Sequence, residues 1–464
     1  MNNIMFLARL LVLFSLVCIS CAHSSFEQKQ LKHALDFATS NRLELEILLQ
    51  HYTYDSLKLE AAKFLIRNMP HCYSYQQGGE MDSVKRVRTY YSPFGQIDQT
   101  YARRWGHYTY RNLPKIYDAH IITAEYLIDN IDRAFDNWQK RPWNRSLSFE
   151  DFCEYLLPYR IGDEPLEEWR ELYEKKYGYL LDSIYKGSDV VEAANLVSRH
   201  LQEPVFIYCE DFELPHIGPR YLFSHRYGSC VDAADIVTYA FRAVGIPCME
   251  DTDARGGHVW NVVRDTTGRD VPIWYIASEA VRGSRDTGGY KRGKVYRPMY
   301  GFQEEKAAHL GDDWKSMPLL FYHPYMKDVS YAYYPDTLRI LTGIPDDEVC
   351  YLAHFHEAHW WSCACARSAS GKMEIPNLES ELVYLPIKYT KGNYYPSGFP
   401  FWFAGGEINT FLPDWEKTVK VRLYRKYPVY GWLRSFMGHV VGGTFEGSMT
   451  KDFEDGKRLY EIAD

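Results

Sequence analysis

The sequence predicts an α+β protein with a helical N-terminal region, a mixed central core and a C-terminal β-sandwich. Apolar residues recur at helical spacing through much of 22–195. One strong helix alternates with short strands in 196–314. After residue 315, short alternating runs are separated by Gly, Pro, Asp and Asn, which is typical of a β-sandwich. The same patterns predict the three domain boundaries.

The composition limits the class of protein. The chain has 464 residues, of which 46% are hydrophobic and 25% charged. These values exclude a disordered chain and a multi-span membrane protein. The 53 basic and 61 acidic residues give a net charge of −8, which argues against a general nucleic-acid-binding protein. Aromatic residues make up 16%, which favours β-rich cores and also suits a binding surface.

Residues 1–21 are predicted to be a lipoprotein signal peptide. Arg9 precedes an apolar run that is too short to span a bilayer. Ser20 and Cys21 then resemble a bacterial lipobox, in which the cysteine is lipidated, although Cys18 stands where leucine is usual. Cleavage after Ala22 is the alternative. We therefore expect an exported protein held on a membrane by a lipid on Cys21, in the periplasm or at the outer membrane or cell surface.

The elements follow from local patterns. Helical periodicity is clearest in four stretches of the first region: 34–49, 57–69, 119–131 and 166–185. The central region predicts a helix over 230–244, closed by Gly245, and strands near 205–208, 246–250, 257–263 and 271–277. In the last region, strands are predicted at 337–341, 349–353, 381–385 and 419–423.

One cysteine stands out because of its position at the start of the central helix. Gly228 and Ser229 precede Cys230, and an apolar helical face follows. The positive end of the helix dipole lowers the pKa of a thiol in the first turn, so that more of it is thiolate at neutral pH. Backbone N–H groups there also suit an oxyanion. Many cysteines at helix starts have no catalytic role, so this pattern indicates a nucleophile only if a general base is also present.

A candidate base follows 28 residues later. Gly256 and Gly257 lead into a strand that begins with His258. A lone histidine on a strand is usually structural. A cysteine nucleophile, however, needs an imidazole to accept its proton and later to protonate the leaving amine.

Together these segments resemble a known family. Gly-Ser-Cys opening a helix and Gly-Gly-His-x-Trp-Asn on a strand are similar to the motifs of the transglutaminase-like superfamily, which shares its core with papain-like cysteine peptidases. Further segments resemble transglutaminase-like lipoproteins of Bacteroidetes: 152–160, 164–166, 294–297, 383–386 and 425–428. The resemblance implies a nucleophile at Cys230 and a base at His258.

The family also has an acid, usually Asp, on the strand after the histidine. The turn at 265–268 would pair His258 with a residue near 275–278, which places Asp265 and Asp270 too far away. Glu279 fits this register and is the predicted orienting acid. Ser278, Asp251 and Asp253 stay open as alternatives, as does a site with no third residue.

No cofactor or metal site is predicted. Three His and two Cys lie within 354–365, but 356–359 spaces its two histidines three residues apart, whereas the zincin helix needs four. A β-hairpin is favoured there.

The sequence thus predicts a cysteine-dependent amide-bond hydrolase or acyltransferase that works through a thioester, with hydrolysis favoured. The expected substrates are a peptide, a glycopeptide or a cell-wall stem, and no nucleic acid. The alternative is a non-catalytic surface module that binds glycans or proteins on a degenerate scaffold.

Overall fold

The structure is a computed structural model, and structural statements below refer to the residues it describes. These residues are 25–79, 81–83, 85, 110–203, 205–208, 214–255, 257–274, 276, 278–284, 291–304, 306–307, 323–341, 346, 348–356, 359–390, 393–414, 416–417, 444–447 and 456–461. The predicted signal peptide with Cys21 and the predicted strand at 419–423 lie outside them.

The first part of the chain is mainly helical, as predicted. Its helices are α1 (25–37), α2 (Arg42–His51), α3 (Ser56–Asn68), α4 (Ala124–Lys140), α5 (Phe149–Tyr155), α6 (Arg170–Tyr179) and α7 (Val190–Leu201). Two short strands pair antiparallel between α3 and α4: β1 (Tyr73–Tyr75) and β2 (Lys115–Tyr117). Side-chain caps mark several starts, such as Ser148, whose hydroxyl accepts from the backbone N–H of Asp151 at 3.1 Å.

Next come two short strands and one short helix, and then a long helix at the centre of the molecule. These elements are β3 (Ile207–Tyr208), α8 (Pro219–Ser224), β4 (Tyr227–Gly228) and α9 (Cys230–Val244). Most of α9 is buried, with α6, α7 and the central sheet packed around it.

The N-terminal region anchors the C-terminal end of α9. Asn137 donates to the carbonyl of Ala243 at 3.0 Å, and Arg141 donates to that of Val244 at 2.8 Å. Trp143 donates to the carbonyl of Gly245 at 2.9 Å. Because the last carbonyls of a helix have no partner within it, these side chains satisfy them and fix the helix in place.

A five-stranded antiparallel sheet packs against α9. Its strand order is β7-β6-β5-β8-β9. The strands are β5 (Cys248–Asp253), β6 (Val259–Arg264), β7 (Asp270–Ile273), β8 (Val295–Pro298) and β9 (Met326–Asp328).

The last part of the chain is built from strands. A two-stranded sheet pairs β10 (Leu338–Leu341) with β13 (Lys372–Ile375), and a six-stranded sheet has the order β12-β11-β14-β16-β17 with β15 beside β14. Its strands are β11 (Val349–His356), β12 (His359–Arg367), β14 (Leu382–Thr390), β15 (Asn393–Pro396), β16 (Phe401–Ala404) and β17 (Glu407–Thr410). A further hairpin joins β18 (Thr444–Gly447) and β19 (Lys457–Glu461).

The architecture confirms the α+β class. The β-rich region shares a buried cluster with the central sheet, in which the hydroxyl of Tyr296 donates to the carbonyl of Cys363 at 3.0 Å. The histidine- and cysteine-rich segment forms the hairpin of β11 and β12, as favoured from the sequence. Among the described helices, none combines the length and apolar character needed to cross a membrane.

Candidate active site

Cys230 is the first residue of α9, as the sequence predicts. The carboxylate of Asp232 accepts the backbone N–H of Ser229 at 2.7 Å and its hydroxyl at 3.1 Å. This contact caps the helix immediately before the thiol. A Cβ at position 228 would lie 2.2 Å from the carboxylate of Asp232, so only glycine fits at Gly228.

Cys230 differs from most other cysteines in its exposure. It is half-buried and not part of a disulfide, whereas Cys72, Cys153, Cys248, Cys350 and Cys363 are buried. Burial raises the pKa of the Cys72 and Cys248 thiols to about 12 and that of Cys350 to about 11. Cys365 is the other half-buried cysteine in the described part of the chain, and it lies within a strand. Among the cysteines that the structure describes, Cys230 alone combines accessibility with a helix start.

Asn261 of β6 fixes how α9 lies on the sheet. Its amide donates to the carbonyl of Ala234 at 3.0 Å and to the hydroxyl of Thr238 at 2.9 Å. At the far end of the strand, the backbone N–H of Arg264 donates to the carbonyl of Pro247, beyond the end of the helix. The helix and the strand therefore run in the same direction.

This arrangement brings Cys230 and His258 to the same end of the core. The contact with Asn261 is centred midway between Ala234 and Thr238. Cys230 precedes this point by six helical residues, or about 9 Å along the helix axis. His258 immediately precedes β6 and lies three residues before Asn261, or about 10 Å in extended chain. The two residues thus lie at the same level along the helix–strand pair.

His258 is half-buried in aromatic surroundings. Its ring lies 5.7 Å from that of Trp260, measured between centroids. Burial and the charge of Arg292 lower the pKa of His258, while the charge of Asp253 and a hydrogen bond with the backbone of Trp274 raise it. Because this bond raises the pKa, the imidazole is its donor and the Trp274 carbonyl its acceptor. The net lowering favours the neutral imidazole at pH 7, the form that accepts a proton.

Asp253 shapes the loop that carries His258. Its carboxylate accepts the backbone N–H groups of Arg255 at 3.0 Å and Gly257 at 2.9 Å. Its own backbone N–H donates to the carbonyl of His258 at 3.2 Å. Asp253, left open as an alternative acid, therefore acts on His258 through the loop and through its charge. Asp251 instead pairs with Arg297 and accepts the hydroxyl of Tyr333 at 2.6 Å.

Glu279 requires a correction. Its carboxylate forms an ion pair with Arg199 of α7 at 2.9 Å, and 60% of its side chain is exposed. The pairing of Asn261 with Ile273 extrapolates to residue 276 opposite His258, so the predicted register is right. However, β7 ends at Ile273, and the chain leaves the sheet before it reaches Glu279. The Trp274 carbonyl holds the imidazole instead.

We therefore expect Glu279→Gln to have little effect. Exposed ion pairs contribute about 0–1 kcal/mol, so the free energy of unfolding should change by less than about 1 kcal/mol. Turnover should stay within roughly twofold of the parent, since an uncharged amide at this position leaves the contact between His258 and Trp274 intact. Urea unfolding and steady-state kinetics would measure both quantities. A large loss of turnover with unchanged unfolding would restore Glu279 as the orienting acid.

A second histidine lies against the same helix, and sequence reasoning missed it. His216 donates from Nδ1 to the buried carboxylate of Asp235 at 2.9 Å. Burial alone would lower the pKa of His216, but the Asp235 carboxylate raises it well above its usual value. The raised pKa makes His216 a poor general base, whereas the lowered pKa of His258 suits that role.

A cavity of about 320 Å³ lies next to His258, between the central sheet and the β-rich region. Trp274, whose carbonyl holds His258, and Arg292, whose charge lowers its pKa, both line it. The guanidinium carbon of Arg292 lies 5.0 Å from the centroid of the Trp260 ring and 4.9 Å from that of Trp274. The remaining walls come from Lys291 and residues 333–336 and 379–381.

The described residues contain no group of three or more His, Cys, Asp or Glu side chains placed to hold a metal ion. Comparison with known proteins finds no matching family model, no similar curated protein and no similar solved structure.

Proposed function

We propose that this protein is a cysteine-dependent amide-bond hydrolase or acyltransferase with Cys230 as nucleophile and His258 as general base. The observation that carries the proposal is the placement of a half-buried thiol at the start of α9 and a half-buried imidazole immediately before β6, on the same end of the core. A helix that carries a cysteine and packs on an antiparallel sheet that carries a histidine also supports a transglutaminase-like core.

The reaction follows from these groups. One nitrogen of His258 donates to the Trp274 carbonyl, which leaves the other nitrogen to accept the proton of the Cys230 thiol. The thiolate attacks the amide carbonyl carbon, and the C–N bond breaks as the imidazolium protonates the leaving amine. The resulting thioester then transfers its acyl group to water or to a second amine, and the sulfur regains the proton. Backbone N–H groups at the start of α9 stabilise the oxyanion.

Selective alkylation tests the nucleophile. Brief treatment of the folded protein with iodoacetamide at pH 6–7, followed by peptide mapping, is expected to modify Cys230 first. The helix dipole favours its thiolate, whereas the buried cysteines have raised pKa values. Cys365 is the internal control, because it is equally half-buried but lies in a strand. Modification of Cys365 at the same rate as Cys230, or no modification of Cys230, would contradict the proposal.

The alternative of a non-catalytic binding module has one structural observation in its favour. Trp360, Phe355 and Trp402 lie on β12, β11 and β16 and are all exposed. Phe355 pairs with Trp360, and Val383 pairs with Trp402, so these side chains form a row across one face of the sheet. Rows of exposed aromatic rings are typical of surfaces that bind glycans or proteins.

Export and membrane anchoring through a lipid on Cys21 also belong to this proposal. They rest on the sequence of residues 1–21.

A further inference from the structure

The cavity beside His258 has aromatic walls. Trp274, Tyr333 and Tyr334 line it together with Pro335. The ring centroids of Trp274 and Tyr333 lie 6.1 Å apart, and those of Tyr333 and Tyr334 lie 6.2 Å apart. Tyr333 is held in place because its hydroxyl accepts from the indole of Trp260 at 3.0 Å and donates to Asp251 at 2.6 Å. Rigid rings of this kind suit the C–H face of a cyclic ligand.

Most charges in the cavity neutralise each other. The carboxylate of Glu379 accepts the backbone N–H groups of Arg292 at 2.5 Å and Gly293 at 2.9 Å. The ammonium of Lys291 lies 3.6 Å from Glu379 and 3.9 Å from Glu381. The hydroxyl of Tyr334 hydrogen-bonds to both Arg292 and Glu379, and burial together with Glu379 raises its pKa. A strongly charged ligand would have to disrupt these contacts.

Two polar groups of the cavity lining make no hydrogen bond or ion pair with the described residues. Within the part of the chain that the structure describes, the carboxylate of Asp336 has no hydrogen bond or ion pair, and the indole nitrogen of Trp274 has no acceptor. Trp274 is more than nine-tenths buried. The Asp336 carboxylate lines the cavity, so a ligand that supplies a hydrogen-bond donor to it is favoured here.

From these observations we infer that the cavity binds a saccharide group of the substrate. A sugar ring presents an apolar face to the aromatic walls and hydroxyl groups that donate to Asp336 and accept from neighbouring donors. A hydrocarbon would leave Asp336 without a donor. The inference rests on the proposed function, since it makes the cavity the recognition site for a glycosylated amide next to His258.

Binding is measured separately from catalysis. The full chain with Cys230→Ala is titrated by calorimetry with cellobiose, maltose and the disaccharide of N-acetylglucosamine, and with acetyl-lysine amide as a ligand without sugar. We expect at least one disaccharide to bind and Asp336→Ala to weaken that binding about tenfold or more. Glu407→Ala is the matched control, because Glu407 is an exposed carboxylate on β17 outside the cavity. It should leave the affinity unchanged.

The inference is overturned if no disaccharide binds, if acetyl-lysine amide binds instead, or if Asp336→Ala leaves saccharide affinity unchanged. The last result would place the sugar on another surface, such as the row of Trp360, Phe355 and Trp402. The proposed function is tested separately by alkylation of Cys230. If a saccharide binds but Cys230 is unreactive, the proposed cysteine-dependent activity is wrong and the saccharide site is still supported. If Cys230 is reactive but no saccharide binds, only the saccharide site is wrong.

Discussion

Replacing Cys230 with alanine is expected to abolish turnover of amide substrates, with a fall in kcat of at least about 10³-fold. The thioester needs this sulfur, and no neighbouring group takes over its role. His258→Ala should lower kcat by about the same factor, because a thiol without a base is a weak nucleophile. The double variant should be hardly worse than either single one, since groups that act as a unit are strongly non-additive. Steady-state kinetics on a panel of glycopeptides and peptides would measure these losses.

Two controls show whether a loss of turnover comes from the catalytic groups themselves. Cys365→Ala removes the other half-buried thiol and should leave turnover unchanged, since Cys365 lies on β12 away from α9. Thermal unfolding of every variant separates lost chemistry from lost structure. If Cys230→Ala and His258→Ala retain the parent rate, the site is not catalytic. If the parent itself turns over no amide while Trp360→Ala and Trp402→Ala weaken glycan binding, the binding-module alternative gains support.

The start of α9 is the part of the site that the sequence predicts best. Ser229 is recognisable because serine is a preferred residue at the N-cap of a helix. Gly245 ends the helix in the left-handed conformation with φ 81°, which a residue other than glycine rarely adopts. Such local rules depend on neighbours in the chain, so one sequence suffices to apply them.

The contacts around His258 cannot be predicted from the sequence in the same way. The turn at 265–268 was correctly located, and the carboxylate of Asp265 accepts the backbone N–H of Thr267 at 2.9 Å there. Register alone does not show where a strand ends, so the sequence predicts Glu279 beside His258 although β7 stops at Ile273. A backbone carbonyl such as that of Trp274 carries no sequence signature at all.

Long-range packing supplies the remaining features of the site. Arg292 reaches Trp260 and Trp274 from a loop that follows the central hairpin, and the cavity walls at 333–336 and 379–381 come from still later in the chain. Nothing near Cys230 or His258 in the sequence indicates these contacts. His216 and Asp235 were missed for the same reason, since 19 residues separate them in the chain.

The stability of the core that carries the site should depend strongly on Arg297. Its guanidinium, which is almost fully buried, binds Asp251 at 2.5 and 3.0 Å and Asp270 at 2.7 Å. It also contacts the hydroxyl of Tyr155 from the helical region. The network thus ties the N-terminal helices to the central sheet, and through Asp251 it reaches Tyr333 in the cavity wall.

We expect Arg297→Met to lower the free energy of unfolding by about 3–5 kcal/mol, because two buried carboxylates lose their shared cation. Urea unfolding followed by tryptophan fluorescence would measure the loss. Arg339→Met is the matched control: Arg339 pairs with Glu374 at 3.1 Å on the surface, and its loss should cost no more than about 1 kcal/mol. Adding Asp251→Asn to Arg297→Met should recover part of the stability, since the unpaired charge of Asp251 is then gone, whereas Asp270 keeps its ion pair with Arg264 at 3.1 Å. Equal unfolding midpoints for Arg297→Met and Arg339→Met would show that the network does not stabilise the core.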